Sequence, residues 1–559
     1  MKKILALLLA LLLVGSLFVG CGTDNGSAST APSTAPSTAS SSPPSEAPVE
    51  ENDSPFIDGT LAYKTPLVDE KTTFSAWSPM ATQLAAVLSD MNDVAGYIVI
   101  EKQTNIHITW ETPSVGQESV SWNLLLSSGD MPDLLQNASG QYTAGVDKAI
   151  ADEICIELTY VIDNFMPNYA TIIASESYFA TDTKTDAGSI GYIYCIYDEA
   201  QTPWMGLNVR QDWMDDLGLP EPLTYDDWYT MLTAFKTQKG ADSPLMLTNV
   251  GDTWFGHYIG GFGVINGLSQ VDGKVVFGPV EPGFRSYLET FSKWYAEGLI
   301  DKDFNTRTDS PFLPDTSYIY TGRAGAWAGF ANGATPVTTG QATDPNLYVQ
   351  GVHSPVVNSA DGFSNFRTRS SRQGVGSMIS TDCENVELLA RWIDYCYSEE
   401  GSLLLNFGEE GVHWFVDTDG APTMDGPGME EYFGLPYSQI QQLTGPVEAP
   451  YLRLMYKGSP VKRSTESITD DKQMAPTRWT ADSEDYMIPA AISLTEAESN
   501  TRTNILQDIN TLVSENMIGV ITGAKTLADW DAVVAQIRSM NIDEAISVTQ
   551  TALDRYYAR

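Results

Sequence analysis

TTFSAW at Thr72–Trp77 and NIHITWE at Asn105–Glu111 are the two runs on which the fold of this chain turns. Each is short and alternates well enough to be a strand, and in the second Ile106, Ile108 and Trp110 share one face. Between them, Met80–Met91 has the make-up of a helix. After the second run a further helix carries Val120 to Leu126 and ends near Ser128-Gly129-Asp130-Met131-Pro132-Asp133. Strand, helix and strand at this spacing predict an α/β domain on a largely parallel sheet.

The alternation continues outward. Gly191–Tyr197 (GYIYCIY) reads as a strand, and Val209 to Leu217 as a short helix stopped at Gly218. Thr224 and Asp227 fit a capping box, with Trp228, Met231, Leu232 and Phe235 following at inward helical spacing. Asp272-Gly273 predicts a primed hairpin turn between Val271 and Lys274-Val275. Phe284, Tyr287, Leu288, Phe291, Trp294 and Tyr295 mark one face of a helix ended by Gly298. Thr526 and Asp529 form another capping box ahead of Trp530, Val533, Ile537 and Met540. No internal repeat stands out, and no second Pro/Ser-rich linker divides these elements. That pattern suits two α/β lobes joined by strand crossings.

The amino-terminal region has another character. Lys2 and Lys3 precede the apolar run Ile4–Val19, which is short for the roughly 20 residues that span a bilayer. Residues 1–20 therefore read as a secretory signal. Phe18-Val19-Gly20-Cys21 resembles a bacterial lipobox, which implies cleavage before Cys21 and a diacylglycerol on its thiol. Residues 21–55 carry Ala-Pro-Ser-Thr units almost free of large apolar side chains, the composition of a disordered spacer. The folded part is thus expected on the extracellular face of the cell membrane, attached through the lipid alone.

Of 559 residues, 72 are acidic and 31 are Lys or Arg, a formal net charge of −41. Nucleic acid is a poor ligand for such a chain, because phosphate binding needs a basic footprint. Cys155, Cys195, Cys383 and Cys396 show no C-x-x-C and no histidine at metal spacing. A helix over Glu384–Tyr397 would separate Cys383 from Cys396 by about 20 Å, far beyond the roughly 7 Å limit of a disulfide. A Cys155–Cys195 bridge and four buried free thiols both remain open. There is no G-x-S-x-G, no H-E-x-x-H and no phosphate loop. A glycoside hydrolase would share the acidity and the aromatics, but among 72 carboxylates a catalytic pair has no diagnostic spacing.

Several segments together resemble the extracellular solute-binding lipoproteins of ABC-type multiple-sugar importers. They are the Ser128–Asp133 run, Arg210-Gln-Asp212-Trp213-Met-Asp215-Asp-Leu217-Gly218-Leu219-Pro220, and Trp294-Tyr-Ala-Glu297-Gly298-Leu299-Ile300-Asp301. Further on come Trp392-Ile-Asp394-Tyr395 with Glu400-Gly401, Asn406-Phe407-Gly408-Glu409-Glu410-Gly411-Val412-His413-Trp414, and Trp530 with Asp554-Arg555-Tyr556. The resemblance covers residues 70–559. It implies a bilobal α/β fold of the periplasmic-binding-protein type (type II) with hinge strands and C-terminal helices. Lobe 1 would begin with residues 70–200 and lobe 2 with 205–365, while 370–559 would be shared between them. The implied role is capture of a mono- or oligosaccharide by closure of the lobes and delivery to a permease. No enzyme activity, cofactor or metal is called for, and the protein is expected to be a monomer. A non-transporting glycan sensor or cell-surface scaffold is the alternative.

A sugar-binding cleft needs flat aromatics for C–H faces and polar groups for hydroxyls. Of the thirteen tryptophans, Trp228, Trp294, Trp392 and Trp530 lie on apolar helical faces and read as core. Trp77 ends the first strand, where α/β folds place ligands. Trp204 lies in the expected crossing 198–208, Trp254 in a polar loop, and Trp327, Trp414 and Trp479 in loop-like contexts. Polar candidates are Asp130, Asn137, Glu409, Glu410, His413 and Arg478. Arg367, Arg369 and Arg372 form the one basic cluster, suited to a uronide or to an ordinary salt-bridged loop. Asp417-Thr-Asp419-Gly420 lacks the later ligands of a calcium loop and reads as a β-turn.

Overall fold

Strands β1 (Thr72–Trp77) and β2 (Ile106–Glu111) pair in parallel, Thr72 opposite Ile106 and Trp77 opposite Glu111. The computed structural model describes residues 54–80, 82–85, 88–142, 144–197, 205–247, 256–307, 315, 317–330, 344–359, 373–416, 422–424, 454–455, 462–463, 478–479 and 486–559. In lobe 1, β3 (Leu134–Leu135) joins the other side of β1, also in parallel. The chain next forms β4 (Ile193–Tyr197) and crosses to lobe 2. There β5 (Met205–Arg210), β6 (Leu245–Met246) and the hairpin β7 (Leu268–Val271) and β8 (Lys274–Phe277) precede β9 (Ala326–Phe330) and β10 (Val349–Val352). It returns to lobe 1 as β11 (Gln373–Ile379), antiparallel to both β3 and β4. The lobe 1 sheet is ordered Leu454–Met455, β4, β11, β3, β1, β2, and the lobe 2 sheet β10, β5, β9, β6.

The lobe 1 sheet is covered on both faces, as its parallel strands β1, β2 and β3 require. Alternation along β1 sends Phe74 and Ala76 to a cluster with Ile106, Leu134, Ile193, Leu389 and Trp392. Trp77 points the other way, to Trp122, Leu135 and Met378. In lobe 2, Leu207, Val209, Trp228, Phe235, Phe284 and Trp294 form one core with Ile509, Val513, Val520, Trp530 and Ile537. The helices Glu496–Ile521, Leu527–Ser539 and Ile542–Tyr557 thus complete lobe 2, and Phe284 stacks on Trp530 at 5.1 Å. Among the described residues no helix is long and apolar enough to cross a membrane.

Most local expectations hold. Both capping boxes form, Thr224 with Asp227 and Thr526 with Asp529. Asp272 and Gly273 both adopt positive φ (50° and 73°), as the primed turn requires. Two expectations are corrected. The helix between β1 and β2 is Ala95–Thr104, while Met80–Met91 supplies only the turn Thr82–Ala85 and the start of a 3-10 turn at Met91. The Tyr97-Ile-Val-Ile100 run within that helix is unbroken because Ile98 sits on the exposed face (54% exposed) between buried Tyr97, Val99 and Ile100, so no polar residue marks the period there. Val209 belongs to β5, and the following helix starts only at Gln211. The four cysteines are free and buried, which excludes the Cys155–Cys195 bridge. Burial pushes the Cys155 thiol up to about 12.

Candidate functional site

The strand directions locate the place where a ligand can sit between the lobes. Because β11 opposes β3 and β4 opposes β11, β1 to β4 all point the same way. The carboxyl end of β4 is where the chain leaves for β5, so the carboxyl ends of β1, β2 and β3 face that crossing. In lobe 2, β5 runs away from the crossing, and β9 and β10 are antiparallel to it. β6 runs with β9. The ends Met246, Phe330 and Val352 therefore come back toward lobe 1. Ligands of open α/β sheets bind outside carboxyl strand ends, and here both sets of ends converge.

On the lobe 1 rim a polar chain follows the strands. Ser78, directly after β1, donates from Oγ to Gln136 Oε1 at 3.0 Å, and Gln136 lies directly after β3. Gln136 Nε2 in turn donates to Tyr97 Oη at 3.4 Å. Ser78 and Gln136 are fully buried, so each relies on these partners. Asn137 is half-buried with φ 56°, and its N–H donates to Ser377 Oγ at 3.4 Å. Ser139 Oγ accepts from Gly376 N at 2.8 Å. Asn137 is thus the predicted residue on this rim that keeps accessible surface. Trp77 is fully buried beneath it, donating from Nε1 to Ser121 Oγ and packing edge-on to Trp122 at 5.2 Å.

On the lobe 2 rim, Trp479 lies over the start of β5. Its Nε1 donates to Leu207 O at 3.0 Å, and a Cβ at Gly206 would lie 2.3 Å from its ring. Only glycine permits that approach, and the indole is left 1% exposed. Arg478 beside it donates from Nη1 to Gly351 O at 3.2 Å. The Gln350 amide, turned to satisfy both its groups, accepts from both Arg478 Nη atoms at 2.6 and 2.7 Å. Glu221 sits 3.9 Å from Arg478 Nε and contacts His353 Nδ1 at 2.7 Å. Burial alone would raise the Glu221 carboxyl, but the His353 bonds and the Arg478 charge bring it below the usual range. His353 follows β10 directly, and sequence reading missed it together with Ser78 and Gln136. Position just past a strand end was the available signal. Trp327 is the second residue of β9 rather than a loop residue, packed with Met246, Ile319 and Ala324.

The remaining candidates separate from this rim. Asp130 is exposed in the turn that ends the helix Glu118–Ser128 and leads to the amino end of β3. Its neighbour Asp133 does the anchoring, accepting from Ser75 N and Oγ at 2.7 Å each. Glu409 pairs with Lys102 at 3.3 Å, near the end of the helix that feeds the amino end of β2. Glu410, His413 and Trp414 share that turn, closed by Glu409 N donating to His413 Nδ1 at 2.9 Å and Trp414 Nε1 donating to Gly408 O at 3.3 Å. Trp204, Trp254, Arg367, Arg369, Arg372, Cys21 and the Asp417–Gly420 turn lie outside the described residues. Among the described residues no cluster of His, Cys, Asp and Glu could hold a metal.

Burial lowers the pKa of His413, which therefore stays neutral in the folded protein near neutral pH. A base whose folded pKa is depressed takes up its proton preferentially on unfolding, so stability falls as pH drops below about 6.5. Urea midpoints measured from pH 7.5 to 5 should decline, and His413→Gln should flatten the decline. An unchanged slope in the variant would remove His413 as its cause.

The profile of the family described as bacterial extracellular solute-binding protein matches residues 78–402. The polygalacturonan/rhamnogalacturonan-binding protein YtcQ of Bacillus subtilis is 21% identical over 449 residues, 78% of this chain and 84% of that one. The fructooligosaccharide ABC transporter substrate-binding protein FusA of Streptococcus pneumoniae is 26% identical over 376 residues, 62% of this chain and 64% of the other. In fold, an HMO-binding, ABC-transporter-associated solute-binding protein of Bifidobacterium longum infantis superposes with a TM-score of 0.69 at 18% identity, covering 87% of this chain and 99% of that one. Two lobes with converging strand ends, and a family profile spanning both, give one conclusion: this chain belongs to the bacterial extracellular solute-binding proteins.

Proposed function

We propose that the protein is the carbohydrate-binding component of an ABC importer, non-catalytic and anchored outside the cell through a lipid on Cys21. The observation that carries this reading is the convergence of carboxyl strand ends from both lobes on one interlobe rim. Asn137 from lobe 1 and Arg478 from lobe 2 are the described residues assigned to the ligand. Trp204, Trp254, Arg367 and Arg369, which in sequence precede β5, follow β6 and precede β11, are assigned the stacking and charged contacts. Sugar bound to the closed lobes more strongly than to the open ones drives closure, and the permease receives the closed form. The relatives' names include both an acidic pectic polymer and a neutral fructan, so the charge of the sugar is the open variable.

Thermal unfolding in the presence of neutral oligosaccharides and of oligogalacturonides tests this reading. A ligand at 100 times its dissociation constant stabilises by about 2.7 kcal/mol, a readily measured rise in Tm. Stabilisation by oligogalacturonides that is lost in Arg367→Ala/Arg369→Ala assigns the arginines to a uronide, whereas stabilisation by neutral sugars alone removes them from the site. If no saccharide raises Tm, the carbohydrate reading fails.

A further inference from the structure

The carboxyl end of the last helix joins the two lobes away from the strand crossings. Ile542–Tyr557 is rooted in lobe 2, where Ile542 and Ala545 enter the large core and Tyr557 Oη donates to Gln270 Oε1 at 2.9 Å. Gln550 adds two backbone ties to the β7–β8 hairpin, accepting from Val275 N and donating to Gly273 O. The partners of its last turn are in lobe 1. Arg555 Nε donates to Asp186 Oδ2 at 2.7 Å, and Arg559 donates to Asp186 Oδ1 from Nε at 2.9 Å and from Nη2 at 2.7 Å. Tyr556 Oη donates to Asp182 Oδ1 at 2.6 Å. Arg559 Nη1 also reaches the carbonyls of Thr181 and Lys184 at 3.3 and 2.6 Å. This acidic segment follows Phe179, which is fully buried in the lobe 1 core, and Thr185 is held by Asp147 at 2.8 Å.

Burial separates these pairs from ordinary surface ion pairs. The Arg559 side chain is 7% exposed and that of Asp186 20%. Arg555 is aimed from behind by Glu498, with bonds of 2.8 and 2.7 Å, and by Ser493 O at 2.7 Å. That arginine holds the Glu498 carboxyl down at about 2. The Arg555 fork is thus fixed before it meets Asp186, and Arg559 is held from its own side by Ser493 Oγ at 2.9 Å and the Tyr556 ring at 5.0 Å, so little side-chain entropy opposes the contact.

We infer that Arg555, Tyr556 and Arg559 form a clasp on Asp182 and Asp186 that sets the resting angle between the lobes. The clasp lies on groups distinct from the strand-end rim, so it tunes the free energy of lobe movement without touching solute. The inference rests on the two-lobe architecture alone and is independent of what the solute is.

Fluorescence energy transfer in the sugar-free full chain tests it, with dyes on exposed Asn123→Cys in lobe 1 and Gln238→Cys in lobe 2. Cys21→Ser keeps that thiol from the dye, and the other four cysteines are buried. The clasped protein should show one narrow interlobe distance. Asp186→Asn should raise the share of other distances by about tenfold, the shift expected when one partner of a hydrogen-bonded charge cluster is lost. Asp531→Asn is the control, because it removes the same carboxylate charge from a salt bridge with Arg285 that lies wholly inside lobe 2. A distribution in Asp186→Asn that matches the parent, or one that Asp531→Asn changes as much, overturns the clasp. Should Asp186→Asn unfold the chain, Arg559→Gln gives the same reading from the opposite partner. Because no sugar is present, failure here leaves the carbohydrate reading standing, and the reverse also holds.

Discussion

Asp394→Ala is expected to destabilise lobe 1 by about 3 kcal/mol or more, because it orphans buried donors from two other parts of the chain. The carboxylate is fully buried. Its Oδ2 accepts from Tyr63 Oη at 2.8 Å, Asn168 Nδ2 at 2.8 Å and Asn168 N at 3.2 Å, and its Oδ1 accepts from Tyr169 N at 2.8 Å. Asn168 and Tyr169 lie in the first turn of the helix Pro167–Ile173, whose amides have no partners within the helix. Asp394 therefore caps a helix from a distance and places a negative charge at its positive end. Asp394→Asn keeps one acceptor oxygen but presents an NH₂ to donors, so it should recover only part of the loss. Urea unfolding of both variants measures the effect. A change below about 0.5 kcal/mol in the alanine variant, the range of an ordinary surface substitution, would show that the network is not stabilising.

Gly401→Ala is the second large effect, expected at about 3 kcal/mol. A Cβ there would lie 1.9 Å from Tyr395 O, 2.8 Å from its carbonyl carbon and 3.1 Å from Cys396 Cα. Those are backbone atoms of the preceding helix, Val386–Tyr397, and cannot swing aside as a side chain does. Ser398 caps the helix Glu399–Phe407 by accepting from Gly401 N at 3.1 Å, and Ser402 Oγ donates to Cys396 O at 3.0 Å, so the corner is held from both sides. Gly96→Ala is the comparison. Its nearest neighbour would be Leu405 Cδ2 at 3.3 Å, a flexible side-chain end, and its cost should stay within about 1 kcal/mol. Equal unfolding midpoints for the two alanine variants would contradict the backbone-clash account.

Both residues belong to segments that carried the family resemblance, and the other segments have the same structural character. Arg210 is 2% exposed, bonded to Asp212 and Asp344 and lying 4.6 Å from the Trp213 ring centre. Asp301 is 2% exposed between Arg307 and Ser243. Gly408, at φ 76°, leaves room for the His413 ring, which a Cβ would meet at 2.6 Å. These residues build corners and caps of the lobes, so matching them identifies the frame without identifying the sugar. Glu410, His413 and Trp414 were read as ligand candidates from one such segment, and the structure seats them on lobe 1 beside the helix that leads into β2.

The elements that the chain announces by itself are those with local causes. β1 occupies Thr72–Trp77, as its alternation indicates, and the capping boxes and the Asp272-Gly273 turn depend on residues no more than four apart. Helix Ala95–Thr104 escaped because apolar Ile98, 54% exposed, occupies its solvent face where a polar residue would have made the helical period visible. The two-lobe α/β plan, the C-terminal helices and the family were therefore within reach of sequence alone. Tertiary structure decided which aromatics became core and which polar groups found partners. Trp77, Trp327 and Trp479 sit at or beside strand ends, yet each is covered by groups distant in the chain. Asp394 meets Tyr63 across 331 residues, and Arg555 meets Asp186 across 369. Burial and pairing at such separations come from packing of whole lobes, and no local pattern of residues records them.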